Sequence, residues 1–426
     1  MTERLLQYLW QFQFFNASQL QTGQGESLKV IHPGTLNTNQ GPDFLSARIR
    51  LENTTWVGNV EIHINTSDWY KHDHEKDPNY KNIILHVVWK NDEPKHDSIL
   101  FLPLLELQPR VSILLLQRYE ELMNTVSFIP CEKSLQKIHA LAWAGWKERL
   151  VIERLQRKSG YILELFKQSN RHWEETFWWM IARNFGARVN ADAFETIAQT
   201  IPVNILARHR NQIHQLEALL FGQAGLLEKR RFEDDYALLL QREYRFYQKK
   251  YKLKKNMVAL KFLRMRPSSF PTIRLAQLAM LIKQSTHLFS GIKEIQSLTE
   301  VRKLLNVTAN DYWHYHYRFE EKTAFKRKNL GDEMVNIILV NAIIPVLFAF
   351  GFHQDEESYK DKALRWLEEI NGENNKITRG WSGIGITNSN AYDSQSLIEL
   401  KTMYCDRKRC LECSVGNTLL SQSSNS

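Results

Sequence analysis

Cysteine and long apolar runs are both scarce in this sequence. Four cysteines occur among 426 residues, so we expect reduced thiols and no structural disulfide. The most apolar run, IILVNAIIPVLFAF (337–350), contains Asn341 and Pro345 and is shorter than the roughly 20 residues of a membrane span. It predicts a buried core helix with a kink at the proline. The N-terminal segment carries Glu3 and Arg4 and lacks a small-residue cleavage pattern, which favours a cytoplasmic protein without a membrane anchor.

A strong excess of one charge is also absent. The chain has 56 Lys and Arg residues against 47 Asp and Glu residues, a net charge of +9. This charge is compatible with a polyanionic partner without requiring one, because net charge acts on association more than on fold. Hydrophobic residues make up 43% and charged residues 24% of the chain, which is typical of a soluble globular protein with a large core.

Two regions with different hydrophobic patterns divide the chain. Alternating, β-branched segments occur up to about residue 105, whereas long amphipathic helices without a repeat follow from about residue 135. The sequence therefore predicts an α+β protein. Its predicted parts are an N-terminal α/β domain (1–110), a large all-α domain (111–400), a cysteine-rich segment (401–416) and a disordered tail (417–426).

The N-terminal domain has a definite predicted order of elements. A helix with one apolar face comes first and four strands follow, the last two separated by a polar linker with at most a short helix. The predicted bounds are Thr2–Phe15 for the helix and Ser27–His32, Phe44–Leu51, Val57–Asn65 and Asn82–Lys90 for the strands.

Two carboxylates and a histidine stand at defined strand positions. Asp43 follows a Gly-Pro turn just before a strand, and Glu61 and His63 lie two residues apart on the next strand. Strand alternation places Glu61 and His63 on one face and Ile62 on the other. Because two close carboxylates repel each other unless a cation lies between them, the pair predicts a Mg²⁺ or Mn²⁺ site. The structural alternative is an ordinary Gly-Pro-Asp turn beside a solvated strand face.

In order and strand placement, Pro42-Asp43 and Glu61-Ile62-His63 resemble the motif of the PD-(D/E)XK nuclease superfamily. That superfamily has a mixed sheet with flanking helices, an Asp at the start of its second strand and Glu-x-Lys on its third. The resemblance implies that Asp43, Glu61 and the backbone carbonyl of Ile62 bind metal. It also implies that His63 takes the place of the lysine that orients or activates the attacking water. A neutral imidazole can accept a proton but lacks the fixed charge of lysine.

A second resemblance covers nearly the whole chain. The segments NQGPDF, VEIH, LHVVW, EALLFGQAGLL, RPSSFP and YCDRKRCLECSVG are similar to those of an uncharacterised bacterial family of unknown function. This resemblance implies membership of that family and no particular activity.

Histidines near the carboxylates allow a rival interpretation. Asp68, His72 and His74 lie in the linker, and His86 lies on the following strand. In an extended segment His72 and His74 would share a face, a spacing that suits Zn²⁺ or Mn²⁺. In this interpretation His63, His72, His74 and His86 would form the metal site of a hydrolase that acts on a small molecule. In the nuclease interpretation the same residues are auxiliary, lining the cleft or contacting the phosphate.

All four cysteines fit one metal centre. Cys405, Cys410 and Cys413 fall within nine residues, and Cys131 completes the set. Such a set suits a structural Zn²⁺ ion or an iron–sulfur cluster, and some nucleases of the resembled superfamily hold a cluster in a partly similar way. A centre of this kind would join the end of the chain to the region after the first domain. The alternative is a set of reduced thiols in a flexible tail.

A basic segment in the helical region predicts binding to nucleic acid. Residues 242–266 contain ten basic residues and one acidic residue, with five aromatic residues among them. Basic side chains neutralise phosphates and aromatic rings stack on unpaired bases. The alternative is a helix with solvated lysines and a buried aromatic stripe. The predicted contact residues are Arg245, Lys249, Lys250, Lys252, Lys254 and Lys255.

These features predict three functions. The first is Mg²⁺- or Mn²⁺-dependent phosphodiester hydrolysis of nucleic acid by Asp43, Glu61 and His63. The second is a nucleic-acid-binding or scaffold protein of the same fold without catalysis, and the third is the histidine-cluster hydrolase. The basic segment favours a nucleic-acid partner, and the intact carboxylates favour catalysis over binding alone.

Overall fold

A computed structural model describes residues 1–71, 80–92, 102–137, 139–229, 231–254, 259–262, 269–285 and 287–421. The chain forms two compact units. The first, which we call the sheet unit, comprises Met1–Trp146 and Leu400–Ser426. The second, the helical unit, comprises Lys147–Glu399. The predicted α+β class is confirmed, with a mixed sheet near the N-terminus and a largely helical region after it.

One mixed sheet organises the sheet unit. The order across it is β1-β3-β4-β5-β6, with β2 paired to β3. β1 and β4 are both antiparallel to β3, whereas β5 is parallel to β4 and β6 is parallel to β5. The bounds are α1 (Glu3–Gln11), β1 (Leu28–His32), β2 (Thr35–Leu36), β3 (Phe44–Leu51), β4 (Thr54–Asn65), α2 (Asp68–Lys71), β5 (Ile83–Lys90), β6 (Leu104–Glu106) and α3 (Ile113–Asn124).

α1 packs on the apolar face of the sheet. The Thr2 side chain caps the helix by accepting a hydrogen bond from the Leu5 N–H (3.2 Å). Leu9 and Trp10 are fully buried in one cluster with Ile62 of β4, and each such side chain stabilises the fold by about 1.5–3 kcal/mol. The Trp10 indole also donates to the Pro33 carbonyl (2.9 Å). These contacts fix α1 beside the start of β3.

The predicted elements of this unit are close to those observed. The strand prediction Phe44–Leu51 matches β3, and the helix prediction ran past the observed end at Gln11. The chain leaves the helix there because Gln13 adopts a left-handed conformation (φ 52). β2 and β6 were not predicted, since strands of two and three residues are too short to show alternation.

The helical unit has one continuous apolar core. Its largest fully buried side chains include Phe177, Phe221 and Trp313, and the rings of Phe221 and Trp313 stack with centroids 4.9 Å apart. The first turns of α4 still belong to the sheet unit, and the rest of α4 belongs to the helical unit. The bounds are α4 (Ala140–Gln168), α5 (Trp173–Phe185), α6 (Ala187–Gln199), α7 (Val203–His209), α8 (Ile213–Gln223), α9 (Asp235–Tyr251), α10 (Pro271–Gln284), α11 (Leu288–Glu294), α12 (Leu298–Leu305), α13 (Asp332–Ile338), α14 (Ile344–Gln354), α15 (Glu357–Glu369), α16 (Lys376–Gly383) and α17 (Ala391–Glu399).

The apolar run 337–350 lies in this core, as predicted, except for Ile337 at its start, which is 41% exposed. A π-helical segment, Leu339–Ile343, joins α13 to α14. This π-helical turn lies just before Pro345. Proline has no backbone N–H, so one helical hydrogen bond is missing at this point. The stretch Asp332–Gln354 is long and apolar enough to cross a membrane, but 78% of its most apolar part is buried inside the protein. It is therefore weak evidence for a membrane span.

The end of the chain belongs to the sheet unit. A second π-helical segment, Leu400–Cys405, leads to α18 (Ser414–Ser421). Leu411 and Leu420 join the core cluster of the sheet. The predicted disorder from residue 417 is therefore wrong up to residue 421, because burial of the apolar pair in NTLLSQ outweighs the polar residues around it. Residues 422–426 lie outside the described part of the chain.

The boundary predicted at residue 110 also differs from the observed one. The sheet unit continues to Trp146. α3 belongs to it because Leu115 and Leu122 pack in the same core cluster as the strands. A change from strand to helix patterning marks a change of secondary structure, not the limit of a core.

Candidate metal site on the N-terminal sheet

The loop before β3 holds Asp43 in place. The Asn37 N–H donates to the Asp43 carbonyl (2.7 Å), and the Asn37 side chain donates to the Pro42 carbonyl (2.9 Å). Gly41 has a φ of 110°, a conformation that glycine adopts without the steric cost of a side chain. A β-bulge early in β3 then bends the strand. The Gly-Pro-Asp sequence is thus a turn, as the structural alternative says, and it also aims a carboxylate.

The Asp43 carboxylate meets α1 and β4. Gln7 donates from Nε2 to Oδ1 (2.8 Å), and the Ile62 backbone N–H donates to Oδ2 (3.1 Å). In an extended strand the N–H and C=O of one residue point to the same side, so the Ile62 carbonyl faces the edge at which Asp43 lies. Glu61 closes the arrangement, since its Oε2 accepts from the Asp43 N–H (3.1 Å). The two carboxylates and the Ile62 peptide are therefore neighbours at the start of β3.

Burial and mutual repulsion make the ionised carboxylates unfavourable without a cation. Burial raises the pKa of Asp43 to about 6, against the effect of the Ile62 hydrogen bond. Burial, followed by the charge of Asp43, raises the pKa of Glu61 to about 8. The charge of Glu3 on α1 contributes to both increases. At neutral pH the pair therefore retains a proton that a bound cation would displace.

His63 is buried beside Glu61. It is 2% exposed, and its Nε2 lies 3.7 Å from Glu61 Oε1. Its Nδ1 lies 2.9 Å from Nε2 of His86, so one imidazole donates a hydrogen bond to the other. The parallel register of β4 and β5 pairs Glu61 with His86 and so brings the second histidine to the site. The Trp69 ring of α2 packs on His86 with centroids 5.0 Å apart.

The remaining predicted auxiliary residues are not all brought to this site. Asp68 accepts from the Asn65 N–H (3.0 Å) and pairs with Lys71 (2.6 Å), and these interactions lower its pKa. Asp68 thus stabilises the turn into α2. His72 and His74 lie outside the described residues, so the histidine-cluster hydrolase stays a prediction.

The four cysteines are free thiols of the sheet unit. Cys131 packs against the core cluster that contains Cys410. The Cys413 N–H donates to the Cys410 carbonyl (3.4 Å), and a Cβ at Gly416 would lie 2.1 Å from that carbonyl oxygen, so the turn requires glycine. Burial raises the pKa of Cys131 and Cys410 to about 12, and the charge of Cys413 contributes to both increases. Burial also raises the pKa of Cys405, with smaller contributions from the other three thiols.

The predicted nucleic-acid contact residues are exposed where they are described. Tyr244 and Tyr247 are 8% and 4% exposed in the core, whereas Phe246 is 59% exposed. The alternative of a buried aromatic stripe therefore holds for the two tyrosines. Lys255 lies outside the described residues. The described members of the predicted set, on α9 and just after it, are Arg245, Lys249, Lys250, Lys252 and Lys254.

Sequence reasoning missed Gln7 and Trp69. Gln7 follows Glu3 by one helical turn, so the two polar side chains share a face of α1. That face is the one that reaches Asp43. A polar stripe on a helix that precedes the strands was a usable signal for Gln7. Trp69 offered no such signal, since its contact with His86 depends on the fold.

Within the described ranges, no group of three or more His, Cys, Asp or Glu side chains is arranged to hold a metal ion. This applies to the cysteines with the side-chain positions they have here. The set Asp43, Glu61 and Ile62 is not such a group of side chains, because it consists of two carboxylates and one backbone carbonyl. Its fit to a cation therefore depends on the Asp43, Glu61 and Ile62 geometry described above.

Comparison with known proteins identifies a family but no activity. Residues 3–376 match the family described as "Protein of unknown function (DUF2851)". No curated protein and no solved structure matches the chain. Function has to be inferred from the residues of the site.

Proposed function

Because the chain belongs to this DUF2851 family of unknown function, we propose an activity from its own residues: divalent-cation-dependent phosphodiester hydrolysis of nucleic acid. The observation that supports it most is the convergence of Asp43, Glu61 and the Ile62 peptide at the start of β3. A buried carboxylate, Glu61, beside a half-buried one, Asp43, is destabilising in a ligand-free protein. A cation between them removes that cost, which gives the arrangement a functional reason.

Oxygen ligands of this kind suit Mg²⁺ or Mn²⁺. The Asp43 and Glu61 carboxylates and the Ile62 carbonyl would hold the ion, which supplies polarisation of a phosphoryl oxygen and activation of a water. Gln7 and the Ile62 N–H orient Asp43, and the Asp43 N–H orients Glu61. A carboxylate has about four acceptor sites, so these hydrogen bonds leave capacity for metal ligation.

His63 is the residue that we assign to proton transfer. When its Nδ1 donates to His86 Nε2, its Nε2 is the basic nitrogen, and that atom lies on the Glu61 side of the ring. A neutral imidazole in this tautomer can take a proton from an attacking water. His86 is then a positioning residue that fixes the tautomer. His63, which stands where the nuclease motif has lysine, thus has a chemical role in this proposal.

The strand arrangement supports the same proposal. A helix is followed by antiparallel strands, a short helix and a strand parallel to the third main strand, which is the order that the nuclease superfamily resemblance implies. Asp43 stands at the start of the second main strand and Glu61 on the third. The exposed basic residues of α9 favour a nucleic-acid substrate, because they can neutralise backbone phosphates.

The test is a cleavage assay on single- and double-stranded DNA and RNA with Mn²⁺, Mg²⁺ or chelator. We expect cleavage with Mn²⁺ and none with chelator, and a loss of about hundredfold or more in Asp43→Asn and Glu61→Gln. Glu120→Gln is the matched control, since Glu120 is an exposed carboxylate of α3 in the same unit. Equal cleavage by both site variants and the control would overturn the assignment. Tight binding without cleavage under every metal would favour the non-catalytic scaffold.

The cysteine centre is a separate proposal. The backbone brings four thiols into one unit and places Cys410 and Cys413 in one tight turn, which supports a structural Zn²⁺ ion or an iron–sulfur cluster. Burial raises the pKa of these thiols. A bound cation would lower it again, so the thiols would lose their protons on ligation. The side chains would have to turn toward a common centre on loading.

A further inference from the structure

The helical unit contains a cationic cavity that the nuclease chemistry does not use. Its volume is about 520 Å³, and α4, α5, α6 and the π-helical segment Leu339–Ile343 contribute to its wall. Ligand sites in proteins are typically about 300–1,000 Å³. Four cationic side chains line it, and none of the described lining residues is acidic; the cations are Arg157, Lys158, Arg183 and Arg188. The cavity is therefore complementary to an anion.

Carboxylates that do not line the cavity pair with two of these cations and hold them in position. Glu399 is 2% exposed and binds both Arg157 (2.5 Å) and Arg154 (3.0 Å). Arg183 is bound by Asp192 (2.6 Å) and by Glu195 (2.9 Å), neither of which lines the cavity. Arginines held in this way have less conformational freedom to lose when a ligand binds. The cavity is thus organised before any ligand enters.

No carboxylate of the described residues lies at contact distance from the Lys158 ammonium group. Among the described residues, the partners of its ammonium group are neutral oxygens of Val340, Asn341 and Gln395, at 3.0–3.4 Å. Burial, with the repulsion of Arg154, lowers its pKa to about 7. The π-helical turn supplies two of these oxygens, and such turns occur frequently at functional sites. An anion in the cavity would provide the missing opposite charge.

A strained turn carries Arg188 at the rim. Ala187 has a φ of 48°, a backbone angle that residues other than glycine seldom adopt. At the preceding position, Gly186, a Cβ would lie 2.4 Å from the Asn190 carbonyl oxygen, so a side chain would not fit there. The Asn190 side chain fixes the turn through the N–H (2.8 Å) and the carbonyl (3.0 Å) of Lys261. Strain of this kind persists where the surroundings impose it, and it clusters at ligand sites.

A structural network alone would account for the pairs Arg157–Glu399 and Arg183–Glu195. It would not account for an exposed arginine on a strained turn or for a cavity wall without acidic side chains. We propose that the cavity binds a phosphate-bearing small molecule of nucleotide size, with its phosphate on Arg157, Arg183 and Arg188. Guanidinium groups bind phosphate oxygens in pairs, and the cavity has room for more than the phosphate.

Calorimetric titration of the full chain tests this proposal. The probes are inorganic phosphate, AMP, ATP and adenosine, and the variants are Arg188→Gln and Arg208→Gln. Arg208 is an exposed arginine of α7 outside the cavity wall. We expect the nucleotides to bind more tightly than inorganic phosphate and adenosine not to bind. Arg188→Gln should weaken nucleotide binding about tenfold, as expected for one charge-assisted contact, and Arg208→Gln should leave it unchanged.

Proton uptake gives a second readout. At pH 8, titrations in two buffers of different ionisation enthalpy should show uptake of part of a proton, because the bound phosphate favours charged Lys158. The charged groups that act on Lys158 are Arg154, Arg157, Glu373 and Glu399, and all are present in both variants.

Three results would overturn the proposal. They are absence of binding by every phosphate-bearing probe at millimolar concentration, equal affinity of wild type and Arg188→Gln, and binding of adenosine as tight as that of AMP. An oligonucleotide whose binding depends on Arg188 and is not displaced by nucleotides would assign the cavity to a nucleic-acid backbone instead. None of these results bears on the nuclease site, so the two proposals can fail separately.

Discussion

Replacing Glu61 by glutamine should stabilise the ligand-free protein at neutral pH. Glu61 is 5% exposed and lies beside Asp43, and its pKa is raised from 4.5 to about 8 by burial and by the Asp43 charge. Between these two pH values the folded state holds a proton that the unfolded chain has released. The free energy of unfolding therefore falls as the pH rises through this range.

The size of the effect follows from the pKa difference. At pH 7 the Glu61 carboxyl is still mostly protonated in the folded state. In the unfolded state it is ionised, because pH 7 lies about 2.5 units above its unfolded pKa. Keeping this proton in the folded state therefore costs about 3 kcal/mol of the free energy of unfolding. Glutamine keeps an acceptor for the Asp43 N–H and removes the charge. We expect Glu61→Gln to be about 1–3 kcal/mol more stable than wild type at pH 7. Below pH 4.5, the unfolded-state pKa, this difference should vanish.

The assay is hydrogen exchange of β3 and β4 amides with chelator present, from pH 4 to 8.5. Local exchange is preferable to one melting curve because a chain of two units need not unfold in a single step. Glu120→Gln is the control and should follow wild type. The reasoning is refuted if wild type keeps the same protection from pH 5 to 8, or if Glu61→Gln is no more protected than the control at pH 7. With saturating Mn²⁺ we expect wild type to be more protected than Glu61→Gln, since only wild type has both carboxylates to bind the ion.

Three further outcomes are expected. Gln7→Leu should lower kcat of cleavage about tenfold at saturating Mn²⁺, because it releases one Asp43 oxygen; an unchanged kcat would remove its positioning role. Changing Lys249 and Lys250 together to Gln should make the plot of the logarithm of the binding constant for single-stranded DNA against the logarithm of the salt concentration less steep, by about 1.4. An unchanged slope would mean that the phosphate contacts lie elsewhere. Metal analysis and a visible spectrum should show zinc or an iron–sulfur cluster in the native protein and its loss in Cys413→Ser; a stable, metal-free wild type would contradict the centre.

The strands of the site were predictable because their residues alternate and are rich in β-branched side chains. β3 matches the prediction, and β4 differs only in starting three residues earlier, at Thr54. The approach of Asp43 to Glu61 was not predictable in the same way. It depends on a register and a bulge in β3, and a bulge arises from local packing that alternation does not report.

The partners of the site depend on contacts between distant segments. The His63–His86 pair results from the parallel register of β4 and β5, and sequence does not fix a parallel register. Gln7 reaches Asp43 only because Leu9 and Trp10 bury α1 on the sheet. The error at the C-terminus has a similar origin, since Leu420 of NTLLSQ joins a core cluster formed by residues from the other end of the chain.

The most direct test of the central claim is anomalous diffraction from a crystal soaked with Mn²⁺. The account predicts one anomalous peak within about 2.0–2.6 Å of an Asp43 oxygen, a Glu61 oxygen and the Ile62 carbonyl oxygen. It also predicts loss of this peak in Glu61→Gln. A well-ordered site without a peak at saturating Mn²⁺, or a peak that persists unchanged in the variant, would contradict it.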